Sequence, residues 1–470
     1  MRSERMTSTQ AYPQSLFIFR RDLRLEDNTA LNEALERSER VSCVFILDPR
    51  QADPERNAYF SANAFAFMVE SLIDLDDALK ARDARLAIYE GLSHEVVGQL
   101  IETHAIDAVF VNSDVTPFSK ERDIALERSC RERGCAFHAS DDTTLTPVHA
   151  ILTNGKPYRV FTPYWKAASR TEIRQPRTVR GAFSTLDAKR PDAITTPPGS
   201  SQRTIRGGRS VALRTLERIE GYADYRDVRD LPGEQGTTQL SAHLKFGTIS
   251  ARELLWKIRR TLGEDHALER QLFWRDFYHQ LLYHHPEVLG REFDPVYAAG
   301  IEWNAQGTTL DAWKAGRTGF PIVDAGMREL LETGWMHNRV RMICASFLTK
   351  DLHIDWREGE RYFASMLVDY DVANNNGGWQ WAASTGADAA PYFRIFNPWI
   401  QQKRFDPDAV YVQRWVAELR GLTAQAIHAL DSKRPQGLNY PKPIVDHAIA
   451  RNEALRRYAH AREAGEKHKR

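Results

Sequence analysis

The alternation of short apolar runs with amphipathic stretches over the first 135 residues is the feature that most constrains the fold. The predicted strands are Leu16–Phe19, Val41–Leu47, Leu86–Tyr89 and Ala108–Val111, and the predicted helices are Asn28–Arg37, Phe60–Arg82, His94–His104 and Lys120–Arg133. Strands that alternate with helices in this way are typical of a parallel α/β sheet. We therefore predict an α/β domain with a doubly wound parallel sheet over residues 16–150.

The rest of the chain divides by composition. Residues 1–15 are polar without an apolar signal core, which predicts a short disordered lead. Residues 151–209 carry 12 Lys and Arg against three acidic residues, together with several prolines, which predicts a solvated linker between domains; contact with phosphate is the alternative. From residue 210 the patterns are helical, and Ser250–Glu253 reads as a capping box. We therefore predict a larger all-α domain over residues 210–470.

Charge and cysteine usage narrow the class of protein. The net charge is only +1, so any nucleic-acid footprint must be local. The four cysteines form no CxxC pair, which argues against a zinc site and a disulfide framework and favours a reducing cytoplasm. No apolar run reaches membrane-spanning length. We expect a cytoplasmic protein without a structural metal or a membrane anchor.

The segment Thr333–Pro398 is rich in tryptophan and in polar side chains. Within it, Asn338 and Arg341 are three residues apart, and Met342 is four residues from Asn338. On a helix these three side chains would share one face. This spacing predicts a helix face that presents an amide and a guanidinium group side by side.

A second polar group follows in the same segment. Asp369 and Asp371 flank one tyrosine, and the run Asn374–Gly378 after them is a turn signal. Asparagine and glycine are poor helix formers, so this run in a helical region needs a reason, and a ligand that closely approaches the backbone is one. Together with the nearby indoles, these groups suit a polar, aromatic, planar ligand.

Four motifs in this segment carry a resemblance: GWMHNRVRM, DWREGERYF, NNNGGWQWAASTG and PYFRIFNP. They resemble the flavin domain of the DNA photolyase/cryptochrome family, above all the microbial class I photolyases that repair cyclobutane pyrimidine dimers. The agreement is ungapped over Thr318–Pro398, and a looser likeness covers nearly the whole chain. The resemblance implies a monomeric lyase driven by blue light, with FAD as cofactor and dimer-containing DNA as partner.

The resemblance also implies roles for individual residues. The implied FAD-binding residues are Tyr225, Thr237, Thr238, Gln239, Leu240, Ser241, Arg275, Asn338, Arg341, Asp369, Asp371 and Asn375, the last beside flavin N5. The implied catalytic residues are Gln271, Asn338 and Asn375, with Trp379, Trp356 and Trp303 as a relay that passes electrons from the surface to oxidised flavin. The implied lesion-binding residues are Trp274, Gln271, Asn338, Met342 and Trp381, with Arg394 and Lys403 on DNA phosphates.

Two loops of the α/β domain are candidates for a second chromophore. Phe19–Asn28 and Asn112–Pro117 follow predicted strands, and ligands of parallel sheets bind beyond the carboxyl ends of the strands. The resemblance implies an antenna here, either methenyltetrahydrofolate or a deazaflavin. Ordinary loop chemistry explains the same residues equally well.

One position departs from the dimer photolyases. Gln271 stands where the dimer photolyases carry a glutamate. The (6-4) photolyases and animal cryptochromes carry a glutamine at this position. However, the (6-4) photolyases and animal cryptochromes have a histidine where this chain has Asn338. A cryptochrome-like blue-light photosensor with weak or no repair is therefore the alternative function. A thermal flavin oxidoreductase would need a nicotinamide site, and the glycine-rich turns lack the strand–GxGxxG–helix context of one.

Overall fold

A computed structural model of the chain describes residues 12–196, 202–297, 300–389 and 391–468. Its strands are β1 Tyr12–Phe19, β2 Ser38–Leu47, β3 Ala87–Glu90, β4 Ala108–Asn112, β5 Ala136–Ser140, β6 Leu152–Thr153, β7 Lys156–Pro157 and β8 Phe183–Ser184. Its first ten helices are α1 Thr29–Arg37, α2 Pro49–Ala52, α3 Ala62–Lys80, α4 Ser93–His104, α5 Pro117–Glu132, α6 Phe161–Ala168, α7 Arg209–Glu217, α8 Tyr225–Val228, α9 Ser241–Phe246 and α10 Ala251–Leu262. The later helices are α11 Glu269–His284, α12 Thr308–Lys314, α13 Pro321–Thr333, α14 Asn338–Ser346, α15 Trp356–Met366, α16 Val372–Ala383, α17 Pro398–Phe405, α18 Val410–Trp415, α19 Ala424–His428 and α20 His447–His468.

The N-terminal sheet has the strand order β3-β2-β1-β4-β5, with every neighbouring pair parallel and the short β8 paired to β2. The four predicted strands and the four predicted helices are confirmed, with ends that move by a few residues. The prediction missed β5, whose sequence AFHAS is only half-buried at the sheet edge and has no continuous apolar run.

Helices cover both faces of this sheet. Along β1, Leu16 and Ile18 point into one core cluster, which includes Val97 and Leu126 from flanking helices. Phe17 and its neighbours of the same parity point into another cluster on the opposite face. Since strand side chains alternate between faces, the apolar run of β1 is explained by burial on both sides. The doubly wound α/β architecture is confirmed.

The predicted lead 1–15 is too long. β1 begins at Tyr12, which pairs with Ser38 of β2, so residues 12–15 belong to the sheet. Residues 1–11 lie outside the described part of the chain.

The segment 151–209 is docked onto both domains, so the prediction of a solvated linker is wrong where the structure describes it. Helix α6 packs on α11, and β8 joins the sheet. Its cations form ion pairs with both domains: Arg174 with Asp27 at 2.5 Å, Arg203 with Glu70 at 2.8 Å and Arg209 with Glu253 at 2.6 Å. Among the described residues, six of the 12 cations form ion pairs, five with the α/β domain and one, Arg209, with the helical domain.

The C-terminal part is helical, as predicted. Its largest core cluster includes buried residues from α12 to α18, and α16 packs against α11, α14 and α15. The predicted capping box is present at the start of α10, where the Ser250 side chain and the Glu253 side chain each bond the other's backbone N–H. Within the described ranges, no helix combines the length and the apolar character needed to cross a membrane.

Candidate functional site

Helix α16 is the axis of the candidate site. Asp371 caps its N-terminus by accepting the Asn374 backbone N–H at 3.0 Å. Asn375, Trp379 and Ala383 then follow at intervals of four residues, which places them on one stripe of the helix. The same stripe therefore runs from the predicted flavin contact through the first predicted relay tryptophan to the C-terminal end of the helix.

The run Asn374–Gly378 is part of this helix, so the prediction of a turn there is wrong. A Cβ atom on Gly377 would lie 2.1 Å from the ring of Tyr278 on α11. Close packing of α11 against α16 therefore explains this glycine without a ligand, and tertiary contact outweighs the poor helix propensity of the run.

The amide of Asn375 points toward α15. Its Nδ2 atom donates a hydrogen bond of 3.0 Å to the backbone carbonyl of Glu360. The Glu360 side chain is buried, and burial raises its pKa to about 7. The hydrogen bond fixes the orientation of the amide that the sequence predicts beside the flavin ring.

Asp369 and Arg341 form the centre of the polar face. Arg341 Nη2 donates to Asp369 Oδ2 at 2.9 Å, while Arg341 Nε donates to the Met336 carbonyl at 2.7 Å. The other carboxylate oxygen, Asp369 Oδ1, is buried and accepts no hydrogen bond from the part of the chain that the structure describes. A buried carboxylate oxygen costs free energy unless a donor reaches it. These residues therefore fit a ligand that brings an N–H or O–H group, as the ribityl chain and ring of FAD would.

Asn338 and Met342 lie beside this pair, as the spacing predicts. Both belong to α14, and Asn338 Nδ2 approaches Met342 Sδ at 4.0 Å. Asn338 is exposed, so its amide remains available to a ligand. The predicted shared face of a helix is confirmed.

A cluster of charges joins the base of α16 to the α/β domain. Arg21, from the loop after β1, pairs with Asp371 and with Asp114 at 3.3 Å, and His279 Nε2 lies 3.4 Å from Asp371. Burial alone would raise the pKa of Asp371, but His279 and Arg21 hold it well below its ordinary value. In the neighbouring Lys245, burial and the positive charge of Arg21 both disfavour the charged form, and they lower its pKa to about 7.

Arg275 belongs to the same cluster, although the sequence predicts a contact with the FAD phosphates. Its guanidinium donates to the Thr143 carbonyl at 2.7 Å and to the Leu244 carbonyl at 3.4 Å. Both contacts use donors that a phosphate would need: the first joins the helical domain to the α/β domain, and the second stays within the helical domain.

The predicted diphosphate segment 237–241 leads into α9. Leu240 and Tyr225 are buried in one core cluster and anchor the segment. Thr237 and Thr238 are half-buried and Ser241 is exposed, so three hydroxyl groups lie at the surface of this anchored segment. Gln239 has a φ of 53°, which turns the backbone sharply just before the helix. Hydroxyl groups of this kind suit a phosphate ligand.

The predicted lesion contacts lie on α11, α14 and α16, and α16 packs against both of the other helices. Trp274 of α11 stacks on Phe161 of α6, with ring centroids 3.6 Å apart and planes 8° from parallel. Gln271 lies one turn before Trp274 and is half-buried. Trp381 is half-buried beside Phe396, at a centroid distance of 6.4 Å. The two predicted phosphate contacts, Arg394 and Lys403, are exposed.

The three predicted relay tryptophans share one core cluster. Trp379 and Trp356 are buried in it, and Trp303 is half-buried against its edge. A Cβ atom on Gly359 would lie 2.0 Å from the Trp379 ring, so the indole presses on α15 one turn after Trp356. Of the three, Trp303 is the one nearest the surface.

Sequence reasoning missed two aromatic neighbours of Trp379. Phe363 lies edge-on at a centroid distance of 4.9 Å, and Trp313 lies at 6.1 Å. Phe363 follows Trp356 by seven residues on α15, a spacing that places both on one helix face and could have indicated it. No comparable spacing joins Trp313 to the other tryptophans.

The two candidate antenna loops meet an ionic network instead of an open crevice. Asp142 accepts from Arg24 at 2.5 Å and from Arg252 at 2.6 Å, and Asp27 accepts from Arg252 at 2.9 Å and from Ser250 at 2.5 Å. Residues of the helical domain therefore fill the space beyond the carboxyl ends of β1 and β4. For Arg24 and Asp27, ordinary loop and interface chemistry is the correct reading.

Comparison with known proteins gives a consistent result across nearly the whole chain. A family model described as DNA photolyase matches residues 15–180, and one described as FAD binding domain of DNA photolyase matches residues 268–460. A deoxyribodipyrimidine photo-lyase from Alkalihalophilus pseudofirmus is 37% identical over 468 residues, which cover 93% of this chain and 96% of the relative.

Two solved structures are similar over the same length. An archaeal photolyase from Sulfolobus tokodaii with two FAD molecules has a TM-score of 0.86 and 43% identity, and the match covers 95% of this chain and 100% of that one. A bacterial class III photolyase from Agrobacterium tumefaciens has a TM-score of 0.88 and 33% identity, with 98% and 100% covered.

Proposed function

The chain belongs to the DNA photolyase family, and we propose that it is a deoxyribodipyrimidine photo-lyase that repairs cyclobutane pyrimidine dimers in DNA by light, with FAD as its cofactor. The observation that carries the proposal is the buried Asp369–Arg341 pair, whose second carboxylate oxygen has no donor among the described residues. A site that leaves a buried acceptor unpaired is built to receive a ligand.

The residues around α16 bind and orient the cofactor. Asp369 and Arg341 hold the ribityl and ring region, Asn338 closes the same face, and Asn375 presents its amide to flavin N5. Bound FAD, in its reduced and light-excited form, supplies the electron that splits the lesion. The hydroxyl groups of segment 237–241 receive the diphosphate.

The relay Trp303–Trp356–Trp379 delivers electrons from the surface to the cofactor site. Its members share one core, and the outermost is the only half-buried one of the three. The shared core and the greater exposure of Trp303 support the predicted roles of these indoles.

The lesion is held by the aromatic and amide groups on α11, α14 and α16. Phe161 fixes the Trp274 indole from one side, so the ring is rigid before a base stacks on it. Gln271 offers a neutral N–H donor to the lesion in place of the carboxyl group of related enzymes. Arg394 and Lys403 contact phosphates, which position DNA without reading its sequence.

Two further properties belong to the proposal. The enzyme works as a monomer in the cytoplasm; the four cysteines are buried free thiols, as a reducing compartment allows. A second chromophore acts as antenna, and the archaeal relative with two FAD molecules adds a flavin to the folate and deazaflavin classes. Light scattering after size-exclusion chromatography measures the oligomeric state, and mass spectrometry of released chromophores identifies the antenna.

The decisive experiment compares light with darkness. Purified protein loaded with FAD and chemically reduced is incubated with an oligonucleotide that contains one thymine dimer, and the restored thymines are measured by chromatography. We expect repair only in light and only with FAD bound. Failure of the reduced, FAD-loaded protein to repair the dimer in light would favour the photosensor.

A further inference from the structure

One arginine of the helical domain is held by two aromatic rings of the segment 151–209. The Cζ atom of Arg270, on α11, lies 4.4 Å from the ring centre of Trp165 and 5.5 Å from that of Phe161, and both rings belong to α6. Trp165 is half-buried and Phe161 is buried, and both pack in one core cluster. A cation above an aromatic face is attracted by the negative charge of that face. The two rings therefore fix where the guanidinium group lies.

The N–H groups of this guanidinium have no acceptor in the part of the chain that the structure describes. There, Arg270 forms no ion pair, and its side chain donates no hydrogen bond. The adjacent Glu269 is not available, because its carboxylate pairs with Arg259 at 2.6 Å. Since a guanidinium group carries several N–H donors, a positive charge is held in place with its hydrogen-bonding groups unused.

The neighbouring Arg259 shows what is unusual about this arrangement. Arg259 also lies above an indole, that of Trp256, at 5.6 Å. Its guanidinium, however, donates to both carboxylate oxygens of Glu269, at 2.6 Å and 3.2 Å. The ion pair explains the position of Arg259 within the protein alone, whereas the position of Arg270 leaves its donors free for a ligand.

Arg270 lies beside the groups that are proposed to hold the lesion. It is adjacent to Gln271 in sequence and four residues before Trp274, so Arg270 and Trp274 share one stripe of α11. Phe161 contacts both side chains, since its ring stacks on Trp274 with centroids 3.6 Å apart. The free guanidinium is therefore at the rim of the proposed lesion pocket.

We propose that Arg270 binds a phosphate of the strand that carries the dimer, next to the extruded bases. The proposal rests on the repair function proposed above and adds a contact to it. The planar fork of a guanidinium matches two oxygens of a phosphate group. An extruded pair of bases draws its own backbone toward the pocket, whereas undamaged DNA keeps its bases stacked and its backbone outside. Arg270 therefore favours damaged over undamaged DNA, unlike the general phosphate contacts Arg394 and Lys403.

The test is DNA binding in darkness, measured by fluorescence anisotropy with FAD-loaded protein at several salt concentrations. One duplex contains a single thymine dimer, and a second duplex of the same sequence is undamaged. Arg270→Gln should weaken binding to the dimer-containing duplex by roughly 10- to 100-fold, as expected for loss of a hydrogen bond to a charged group. The slope of log K against log salt should become shallower by about 1 for this duplex, because one phosphate contact is lost. Binding to the undamaged duplex should not change.

Three further variants separate charge from position. Arg270→Lys keeps the positive charge without the planar fork, so the salt slope should be retained while part of the affinity for the dimer is lost. Trp165→Leu removes one supporting ring and leaves the charge, so it should also weaken dimer binding without changing the slope. Arg394→Gln is the comparison for a general phosphate contact and should reduce binding and slope for both duplexes.

Two results would overturn the assignment of Arg270. Equal losses for both duplexes in Arg270→Gln would make Arg270 a general DNA contact. An unchanged salt slope for the dimer-containing duplex would mean that Arg270 neutralises no phosphate. The absorbance of bound FAD shows that each variant is folded, and Arg270→Met, whose side chain can still pack on Trp165, repeats the measurement if the glutamine variant binds no FAD.

The outcomes also separate this proposal from the repair function on which it rests. Repair of the dimer by the unaltered protein in light tests the function alone. Repair by that protein, without a dimer-specific loss of binding in Arg270→Gln, overturns only the assignment of Arg270. An unaltered protein that neither repairs the dimer nor distinguishes the two duplexes overturns both proposals.

Discussion

Two regions of the molecule contain buried aspartates beside arginines, and they differ in one respect. In the crevice beyond β1 and β4, both carboxylate oxygens of Asp142 accept hydrogen bonds from Arg24, Arg252 and Thr29. In the site beside α16, Asp369 has Arg341 on one oxygen, and no donor within the described ranges reaches the other. The same pair of residue types therefore closes an interface in one place and leaves an opening for a ligand in the other.

This difference gives a criterion for deciding whether an ionic cluster binds a ligand or only stabilises the fold. Residue type alone suggested binding in both regions, since both lie where ligands of such folds are found. What separates them is whether both oxygens of the buried aspartate have donors, because a carboxylate with both oxygens paired has no acceptor left for a ligand. We expect substitutions in the crevice to change stability and substitutions in the site to change binding.

The largest expected effect is on stability. Asp142→Ala leaves two buried guanidinium groups without their carboxylate, and breaking a buried pair typically costs about 3–5 kcal/mol. Urea denaturation measures the free energy of unfolding. Asp77→Ala is the control, because Asp77 pairs with Lys80 at 2.9 Å on the surface, where a pair contributes about 0–1 kcal/mol.

The same variant has a predictable pH dependence. Burial alone would raise the pKa of Asp142, but Arg24 and Arg252 hold it well below its ordinary value. A carboxyl whose pKa is lowered by folding stabilises the protein above its ordinary pKa of about 3.9, and this contribution is lost as the pH falls toward the folded value. The stability difference between the unaltered protein and Asp142→Ala should therefore shrink below about pH 4. A difference that grows at low pH would contradict the network.

The next effect is on FAD affinity. Asp369→Asn keeps the shape of the side chain but removes the charge that pairs with Arg341 and awaits a donor. Hydrogen bonds to charged groups contribute about 1.5–3 kcal/mol, so the Kd for FAD should rise by about 10- to 100-fold. Fluorescence titration of the apoprotein with FAD measures this Kd. Asp142→Ala is the control variant, and we expect it to keep its affinity for FAD. Equal losses of FAD affinity in both variants would contradict the proposed difference between the two regions.

A somewhat smaller effect is expected on lesion affinity. Trp274→Ala removes the indole that Phe161 supports, and stacking of a base on an aromatic ring contributes about 1–3 kcal/mol. Binding to dimer-containing DNA should weaken by that amount, while binding to undamaged DNA, which depends on phosphate contacts and salt, should not. Trp256→Ala is the control, because this indole bonds the Arg174 carbonyl at 3.0 Å, away from α11 and α16. A parallel loss for both DNAs would place Trp274 outside the lesion pocket.

The smallest effect concerns Gln271. Charge-assisted hydrogen bonds are about twice as strong as neutral ones, so Gln271→Glu should raise the quantum yield of repair by about two- to fivefold. Lesion affinity should change less, because the stronger bond forms once charge has moved onto the lesion. Yield is measured with the flavin reduced beforehand. A lower yield in the glutamate variant would mean that the pocket is fitted to the amide.

Local periodicity was sufficient for most of the fold. The four buried strands, the helices between them and the capping box at Ser250 follow from patterns within a dozen residues, and all are confirmed. The half-buried edge strand β5 was missed because it carries no apolar run. The helix across Asn374–Gly378 was missed because Gly377 is explained by close packing against Tyr278, which lies almost 100 residues earlier in the chain.

The site was predictable only in part. The shared face of Asn338 and Met342 follows from helical spacing, and the structure confirms it. Arg275 donates to backbone carbonyls and Phe161 supports Trp274, and both arrangements depend on contacts between distant segments. Contacts between segments that are far apart in the chain produce no periodic pattern in the sequence.

The pairing of Arg21 with Asp371 has a consequence for synthesis of the chain on the ribosome. The two residues are 350 positions apart, and Arg252, the partner of Asp27, follows it by 225 positions. At roughly 5–20 residues per second, translation separates Arg21 from Asp371 by roughly 20–70 seconds. During that interval, Arg21 of the nascent N-terminal domain has Asp114 as a partner but lacks Asp371. The last third of the message therefore governs when the first domain reaches its final stability.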